Sequence, residues 1–264
     1  MDLPRTAAVA TRVRWLDHAD STNSVLAALA SGTQPWPHGS VVVTDDQTAG
    51  RGRLGRVWTA PPGGSLAISV LLRPDFPRAA WGWLPLLTGV AMADSVRAAG
   101  VDAVVKWPND VLVGERKVCG VLAEALPDGS GAVIGAGLNH ALTAQQLPVP
   151  TATSLAVLGV AADVDELVAG FVGTLLALVD DLQAFSGDAQ ASGARASVVA
   201  HCGTLGRRVR VGLPDGRVIV GTAVGLEPDG RLIIARDGAG PEDAPRDAKP
   251  LSVSAGDVEH LRYE

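Results

Sequence analysis

The feature that most constrains the fold is a change of pattern close to Arg207. Before it, continuous apolar stretches of strand length, such as residues 65–73, alternate with helical stretches such as 163–185. After it, short runs of alternating apolar residues are separated by Asp-Gly pairs, which are a strong signal for β-hairpins. We therefore predict an α+β domain over residues 1–202 and a small β-barrel over residues 203–264.

Four further segments have patterns that predict their local structure. Residues 79–100 predict a long apolar helix, and whether Pro85 interrupts it is left open. The segment "DSTN" (20–23) predicts the capped start of a shorter helix. Residues 186–197 are small and polar, which favours a linker or a weak helix. Residues 238–249 contain almost no apolar side chain and predict a flexible surface loop.

Composition limits the class of protein. Of the 264 residues, 47% are hydrophobic and 19% charged, and the net charge is −6, which argues against nucleic acid as the main partner. Cys119 and Cys202 lie in no metal-binding spacing and are expected to be buried. The longest apolar run, 13 residues from Leu167, is too short to span a bilayer. Since the N-terminal segment also lacks the apolar core of a signal peptide, we expect a cytoplasmic protein.

The segment "QTAGRGRLGRVW" (47–58) concentrates flexible backbone and positive charge. Its glycines allow the chain to approach a ligand closely, and its arginines offer charge-assisted contacts to phosphate or carboxylate. The spacing matches neither a Walker loop nor a dinucleotide-binding loop. An RNA-binding arginine–glycine tract and a mobile surface loop remain as alternatives. The residues concerned are Gly50, Gly52, Gly55, Arg51, Arg53 and Arg56.

A second group of polar residues lies in "KWPNDV" (106–111). Pro108 excludes a regular central strand here, and the amide and carboxylate that follow either cap a local turn or contact a ligand. Only three of the 22 basic residues are lysines, at 106, 117 and 249. Because arginine is otherwise so common, Lys106 and Lys117 are candidates for positions that require a compact ammonium.

Taken in order, these segments resemble one family, the biotin–protein ligases. The resemblance rests on "DSTN", "QTAGRGRLGRVW", "GGSLAISV" (63–70), "KWPNDV", "RKVCGVLAE" (116–124) and "GAGLN" (135–139). It implies a catalytic domain like that of class II aminoacyl-tRNA synthetases, with a mixed sheet, and an SH3-like C-terminal barrel. The residues just before Gln47, "TDD", depart from the Ala-Glu pair that the family more often has.

The resemblance implies a two-step reaction. Such enzymes join biotin to ATP, giving biotinyl-5′-AMP and pyrophosphate, with Mg²⁺ shielding the pyrophosphate. They then transfer biotin to one lysine of the biotin carboxyl carrier protein of acetyl-CoA, acyl-CoA or pyruvate carboxylase. Too few residues precede the first predicted strand for a DNA-binding domain, so no repressor function is expected.

The resemblance also assigns roles to residues. It places Ser21, Thr22, Asn23 and Gln47 around the ureido ring of biotin, with Gly52 beside the ligand. It places Trp58, Asn109, Gly137 and Asn139 on the adenine and phosphate side. Arg51 and Arg53 meet the biotin carboxylate and the phosphate, Arg56 lies nearer the nucleotide, and Lys117 contacts both reacting groups. Asp110 is our candidate for receiving the proton of the acceptor lysine, and no metal ligand is assigned.

Two other functions compete with this one. Lipoate–protein ligases and octanoyl transferases resemble the same fold, but they usually carry an Arg-Arg-x-Ser/Thr-Gly-Gly-Gly pattern that this chain lacks. A non-enzymatic binding module would use the barrel to hold RNA or a small ligand. Nucleic-acid binding of that kind would weaken steeply with salt.

Overall fold

The computed structural model describes residues 1–213, 216–236, 250–254 and 257–261. The predicted surface loop at 238–249 lies outside the described residues. The helices are α1 (Pro4–Val9), α2 (Thr22–Ala30), α3 (Trp83–Ala98), α4 (Val164–Ala184) and α5 (Ala194–His201).

A mixed seven-stranded sheet forms the centre of the larger part of the chain. Its first two strands are parallel and all its other neighbours are antiparallel. From edge to edge its order is β1-β2-β5-β9-β8-β7-β6. Its strands are β1 (Arg12–Trp15), β2 (Ser40–Thr44), β5 (Ser65–Leu72), β6 (Ala103–Lys106), β7 (Asp110–Val113), β8 (Arg116–Ala125) and β9 (Ala132–Asn139).

The two faces of this sheet carry different side chains, because successive residues of a strand point to opposite sides. In β5, Leu66, Ile68 and Val70 belong to the main core, where they pack with residues of α3 and α4. The alternate residue Leu71 packs in a second, smaller core under α2. Helices therefore cover both faces, which explains why β2 and β5 read as continuous apolar runs.

Helix α4 is amphipathic and begins at a capped residue. Asp163 is its N-cap and accepts a hydrogen bond of 2.9 Å from the backbone N–H of Glu166. Among the described helices, α4 alone is long and apolar enough to cross a bilayer by length and composition. The 13-residue apolar run from Leu167 is only part of this 21-residue helix, so the length of that run does not exclude a membrane span. Its buried side chains, such as Val168, Phe171 and Val172, pack in the main core.

The structure answers the question left open at Pro85 and differs from the prediction for residues 186–197. Pro85 does not interrupt a helix, because α3 starts at Trp83 and places Pro85 in the first turn, where no helical N–H is needed. Residues 186–197 were predicted as a linker or weak helix, yet α5 begins at Ala194 and buries Ala194 and Val198. Packing against the core thus stabilises a helix that the polar sequence around it does not indicate.

The C-terminal part forms an antiparallel five-stranded sheet of order β13-β12-β11-β10-β14. Over the described residues the two edge strands do not pair, so the predicted SH3-like barrel is not closed. The first Asp-Gly pair includes Asp215, which lies outside the described residues. Its strands are β10 (Arg208–Gly212), β11 (Val218–Leu226), β12 (Leu232–Arg236), β13 (Leu251–Val253) and β14 (Asp257–His260).

The turn between β11 and β12 docks this sheet onto the larger part of the chain. The indole N–H of Trp83 donates to the carbonyl of Pro228 at 2.8 Å, and that of Trp107 donates to Gly230 at 3.1 Å. Gly230 has φ +85°, which is the left-handed region that glycine favours. Both tryptophans are buried, and each indole N–H needs a partner there.

A hydrogen-bonded chain fixes the start of "WPND" from the same side. The backbone N–H of Trp107 donates to Thr204 Oγ1 at 3.0 Å, and that oxygen lies 3.0 Å from His260 Nε2. Burial, with Lys106 and Arg207 nearby, lowers the pKa of His260 to about 4. The imidazole is therefore neutral at pH 7, and we assign its Nε2 as the acceptor of the Thr204 hydroxyl.

Replacing Thr204 with Val should lower the free energy of unfolding by about 1–3 kcal/mol, because the buried N–H of Trp107 loses its acceptor. Thr204→Ser keeps the hydroxyl and loses one methyl group, so it should cost about 1 kcal/mol or less. Urea denaturation followed by circular dichroism measures both values. Equal losses in the two variants would show that this hydrogen bond does not stabilise the fold.

Candidate active site

A cleft of about 310 Å³ opens over the face of the central sheet that carries α2. Thirteen of the fourteen predicted site residues line it. They are Ser21, Thr22, Asn23, Gln47, Arg51, Gly52, Arg53, Arg56, Trp58, Asn109, Asp110, Lys117 and Gly137. Segments far apart in the sequence therefore meet at one place.

Glycines on two adjacent strands form the floor of the cleft. A Cβ atom on Gly137 would lie 2.6 Å from the Trp58 ring, and one on Gly120 would lie 2.7 Å from Lys117 Nζ. A Cβ on Gly135 would collide with Asn23 Oδ1. The bare backbone thus leaves room for both an indole ring and an ammonium directly above the sheet.

The start of α2 supplies the polar end of the cleft. Ser21 caps the helix, and its Oγ accepts a hydrogen bond from the N–H of Ser24 at 3.4 Å. Gln47 Oε1 accepts from the backbone N–H of Thr22 at 2.9 Å and lies 3.2 Å from the Thr22 hydroxyl. Asn23 Oδ1 lies 2.6 Å from Ser69 Oγ. These short side chains hold one another in place, as a site that recognises a small polar group requires.

The glycine–arginine segment forms a β-hairpin, which we call the Arg hairpin (residues 50–58). Its strands are β3 (Gly50–Arg51) and β4 (Val57–Trp58), with a 3-10 turn at Arg53–Gly55 between them. Gly50 has no room for a side chain, because a Cβ there would collide with Gln47 Nε2 and the Trp58 carbonyl. The segment therefore has a defined conformation over the sheet.

Positive charge gathers at the other end of the cleft. Lys117 Nζ lies 2.6 Å from Asp110 Oδ1 and 5.5 Å from the centre of the Trp58 ring. Arg53 donates to the side-chain oxygen of Asn109 at 2.8 Å, which ties the Arg hairpin to the "KWPND" turn. Lys117 and Asp110 are both partly buried, so their attraction is less screened than on an open surface.

Arg51 has a different environment from the other arginines. Its guanidinium donates to Glu124 Oε2 at 3.0 Å and to Ser24 Oγ at 3.1 Å. Half of the side chain is exposed. The predicted contact of Arg51 with a ligand carboxylate stays a prediction.

Asn139 is the one predicted residue that the structure keeps out of the cleft. Its amide accepts from the hydroxyl of Ser65 at 2.9 Å and donates to the carbonyl of Thr153 at 3.0 Å. The side chain is 3% exposed. The side chain therefore links β5 and β9 to the segment that follows β9. This geometry does not favour a direct contact with adenine or phosphate.

Comparison with known proteins is consistent with the site. Residues 15–139 match the biotin/lipoate A/B protein ligase family, and residues 204–261 match the biotin protein ligase C-terminal domain. A biotin--[acetyl-CoA-carboxylase] ligase of Mycobacterium tuberculosis is 39% identical over 249 residues, which are 92% of this chain and 86% of that protein. The chain belongs to the biotin protein ligase family.

Two further relatives extend the comparison. A biotin protein ligase from Aquifex aeolicus, solved in complex with biotin and ATP, superposes with a TM-score of 0.75 and 26% identity over 96% of this chain and all of that one. The bifunctional ligase/repressor BirA of Bacillus subtilis is 36% identical over 51% of this chain and 42% of that protein. Since the match leaves out more than half of BirA, its repressor function is not carried over.

Membership in the biotin protein ligase family decides between the competing functions. The chain is a ligase, and the prediction of an enzyme rather than a binding module is confirmed. The first family description covers lipoate ligases as well, so it does not separate the sister families. The Mycobacterium tuberculosis relative separates them, because it is a biotin ligase that matches 92% of this chain.

Sequence reasoning missed several residues of the cleft. Gly135 was recoverable, because it lies two residues from Gly137 on the same strand and so faces the same side. Gly120 lies three residues from Lys117, and an irregularity in the pairing of β8 with β7 brings both to the cleft. Glu259 of β14 and Lys106 also line the cleft. No local signal indicates Glu259, since only the docking of the C-terminal sheet brings it there.

The cysteines contribute no chemistry. Both are buried, as predicted. Burial raises the pKa of Cys119 to about 12, even though Lys117 is near. The thiol is therefore protonated at pH 7 and is not a nucleophile.

Replacing Asn139 with Ala should destabilise the fold by about 1–3 kcal/mol for each of the two buried groups that lose their partner. Gln145→Ala, an exposed amide on the following loop, is the matched control and should change little. Chemical denaturation measures both variants. If the Asn139→Ala variant has normal stability but fails to bind nucleotide, the predicted contact of Asn139 with the nucleotide is supported instead.

Proposed function

We propose that this biotin protein ligase activates biotin with ATP to biotinyl-5′-AMP and pyrophosphate, and then transfers biotin to a lysine of a biotin carboxyl carrier protein. The observation that carries the proposal is that one cleft has short polar side chains at one end and positively charged side chains at the other. The complex of the Aquifex aeolicus relative with biotin and ATP supports the choice of ligands.

The polar pocket suits the ureido ring of biotin. A urea edge has N–H donors and a carbonyl acceptor, and Thr22, Asn23 and Gln47 offer both kinds of partner. The cleft, with a volume of about 310 Å³, has room for the thiophane ring and the aliphatic tail. In this arrangement the biotin carboxylate extends towards Lys117.

The first step joins two negatively charged groups. The biotin carboxylate attacks the α-phosphate of ATP, so cations must neutralise the approach. Lys117 has three N–H donors, of which one serves Asp110, and the others are directed to the carboxylate and the phosphate. Arg53 and Arg56 line the same end of the cleft, and the adenine ring is expected against Trp58.

The second step requires a neutral amine. A free lysine has a pKa near 10.4, so its deprotonation at pH 7 costs about 4–5 kcal/mol. Asp110 is proposed to accept the proton as the amine attacks the acyl carbon and AMP leaves. Asp110 Oδ1 is paired with Lys117, which leaves its second oxygen for that role.

Mg²⁺ would neutralise charge on the departing pyrophosphate. The residues that the structure describes include no cluster of three or more His, Cys, Asp or Glu side chains suited to a metal. Magnesium at such sites usually takes one or two carboxylates and completes its shell with phosphate oxygens and water. Glu259 is a carboxylate on the cleft wall to which the two steps above give no other role, and it would fit this pattern.

The carrier and the location are further parts of the proposal. The name of the Mycobacterium tuberculosis relative supports the carrier domain of an acetyl-CoA carboxylase, and an acyl-CoA or pyruvate carboxylase would present the same kind of lysine. A cytoplasmic location agrees with the consumption of ATP. The net charge of −6 gives no support to a nucleic-acid partner.

Biotin-dependent exchange of radiolabelled pyrophosphate into ATP tests the first step. We expect exchange with biotin and none with lipoate or octanoate, since adenylation is reversible and the pocket is matched to a urea. Exchange driven by lipoate would move the chain to the sister family. The absence of exchange with every acid, in a folded sample, would overturn the proposal.

Replacing Asp110 with Asn should slow biotin transfer by about 100-fold or more, while pyrophosphate exchange falls by much less. The reason is that only transfer needs a proton acceptor, whereas Lys117 keeps its charge. Single-turnover transfer from preformed adenylate and the exchange assay give the two rates. Asp102→Asn, an exposed carboxylate on a distant turn, is the control, and equal slowing of both steps would contradict the assignment.

A further inference from the structure

Glu124 is a charged residue beside the cleft to which neither the sequence motifs nor the proposed reaction gives a role. It lies on β8, and its Oε2 accepts from Asn23 Nδ2 at 2.8 Å and from Arg51 at 3.0 Å. We propose that Glu124 is a positioning residue that, with Arg51 and Asn23, latches the Arg hairpin closed over the cleft. This inference rests on the proposed function, because the hairpin then shields the adenylate.

The latch is one end of a continuous polar chain. Gln47, three residues before the hairpin, bonds to Thr22. The hydroxyl of Ser69 lies 2.8 Å from Thr22 Oγ1 and 2.6 Å from Asn23 Oδ1. Asn23 then bonds to Glu124, which holds Arg51. The segment that leads into the hairpin is thus attached at both its ends, to the start of α2 through Gln47 and to β8 through Arg51.

The two halves of the latch differ in strength. Asn23 is 6% exposed, so its hydrogen bond to Glu124 is protected from water and fixes the carboxylate. Arg51 and Glu124 are 50% and 35% exposed, and ion pairs at such exposure are weak and screened by salt. The Glu124 carboxylate therefore stays bonded to Asn23, whereas Arg51 can detach from the carboxylate so that the hairpin opens to admit substrates.

The chemistry explains what a closed hairpin accomplishes. Biotinyl-5′-AMP is a mixed anhydride. If water reaches it, water adds to the acyl carbon, the bond from that carbon to the phosphate oxygen breaks, and biotin and AMP are released. A hairpin held against the sheet excludes water until the acceptor lysine arrives. Loss of the latch should therefore raise hydrolysis in the absence of any carrier.

Limited trypsin digestion tests the latch without reference to activity. The hairpin contains three trypsin sites, after Arg51, Arg53 and Arg56. Cleavage there should be about two- to fivefold faster in Glu124→Ala than in the wild type, as expected for loss of a partly exposed ion pair. Glu124→Gln keeps an acceptor for Asn23 but no charge for Arg51, so it should lie between them. Asp102→Asn is the matched carboxylate control and should equal the wild type.

Carrier-free release of AMP in the presence of biotin and ATP tests the consequence. Glu124→Ala should release AMP about two- to fivefold faster than the wild type, and Glu124→Gln less so. Added salt should raise the release by the wild type and leave that by Glu124→Ala unchanged, because the screened ion pair is already absent there. In the digestion, Arg51→Met should act like Glu124→Gln when cleavage after Arg53 and Arg56 is compared, and combining it with Glu124→Ala should not make cleavage faster than in the faster single variant.

The outcomes separate this inference from the proposed function. A wild type that shows no biotin-dependent pyrophosphate exchange refutes the function, and the digestion result still reports on the latch. A wild type that exchanges pyrophosphate, with variants that neither release more AMP nor are cut faster, refutes the latch. If Glu124→Ala does not fold, Glu124→Gln decides by the same two measurements and Arg51→Met by the digestion.

Discussion

A group can approach the backbone of a β-sheet closely only where side chains are missing, and the site in this chain depends on that constraint. On β8 and β9, glycines at 120, 135 and 137 occupy the face under the Arg hairpin, while the alternate residues Cys119, Ala136 and Leu138 pack in the main core. The same strands thus build a core on one side and a cleft on the other. The indole of Trp58 and the ammonium of Lys117 occupy space that any side chain at these glycines would fill.

The ionic arrangement follows from this geometry. Lys117 is held between the Asp110 carboxylate and the face of Trp58, so its position is fixed before a ligand arrives. Preorganised charge of this kind stabilises a transition state without reorganisation during the reaction. The C-terminal sheet contributes to the same end from outside, because Thr204 and Gly230 bond to both N–H groups of Trp107, at the start of the "WPND" turn.

The Arg hairpin connects these features to the reaction cycle. Its arginines divide between two tasks, since Arg53 bonds to the "KWPND" turn and Arg51 bonds to Glu124. The motif that appears in the sequence as a single cationic loop is therefore attached at two separate points, the "KWPND" turn and β8. Segments that must open and close are expected to be held by such weak, partly exposed contacts.

The sequence by itself determined the α+β class, the apolar strand at residues 65–73, the hairpin pattern after Arg207 and thirteen of the residues that line the cleft. These follow from local periodicity and from motifs whose residue types are tied to their chemistry. Only the tertiary structure decided that Asn139 lies outside the cleft, that Glu124 and Glu259 lie at it, and that α5 is a stable helix. The physical reason is that a side chain's partners across a sheet or between domains are set by packing between distant segments, and no local pattern records them.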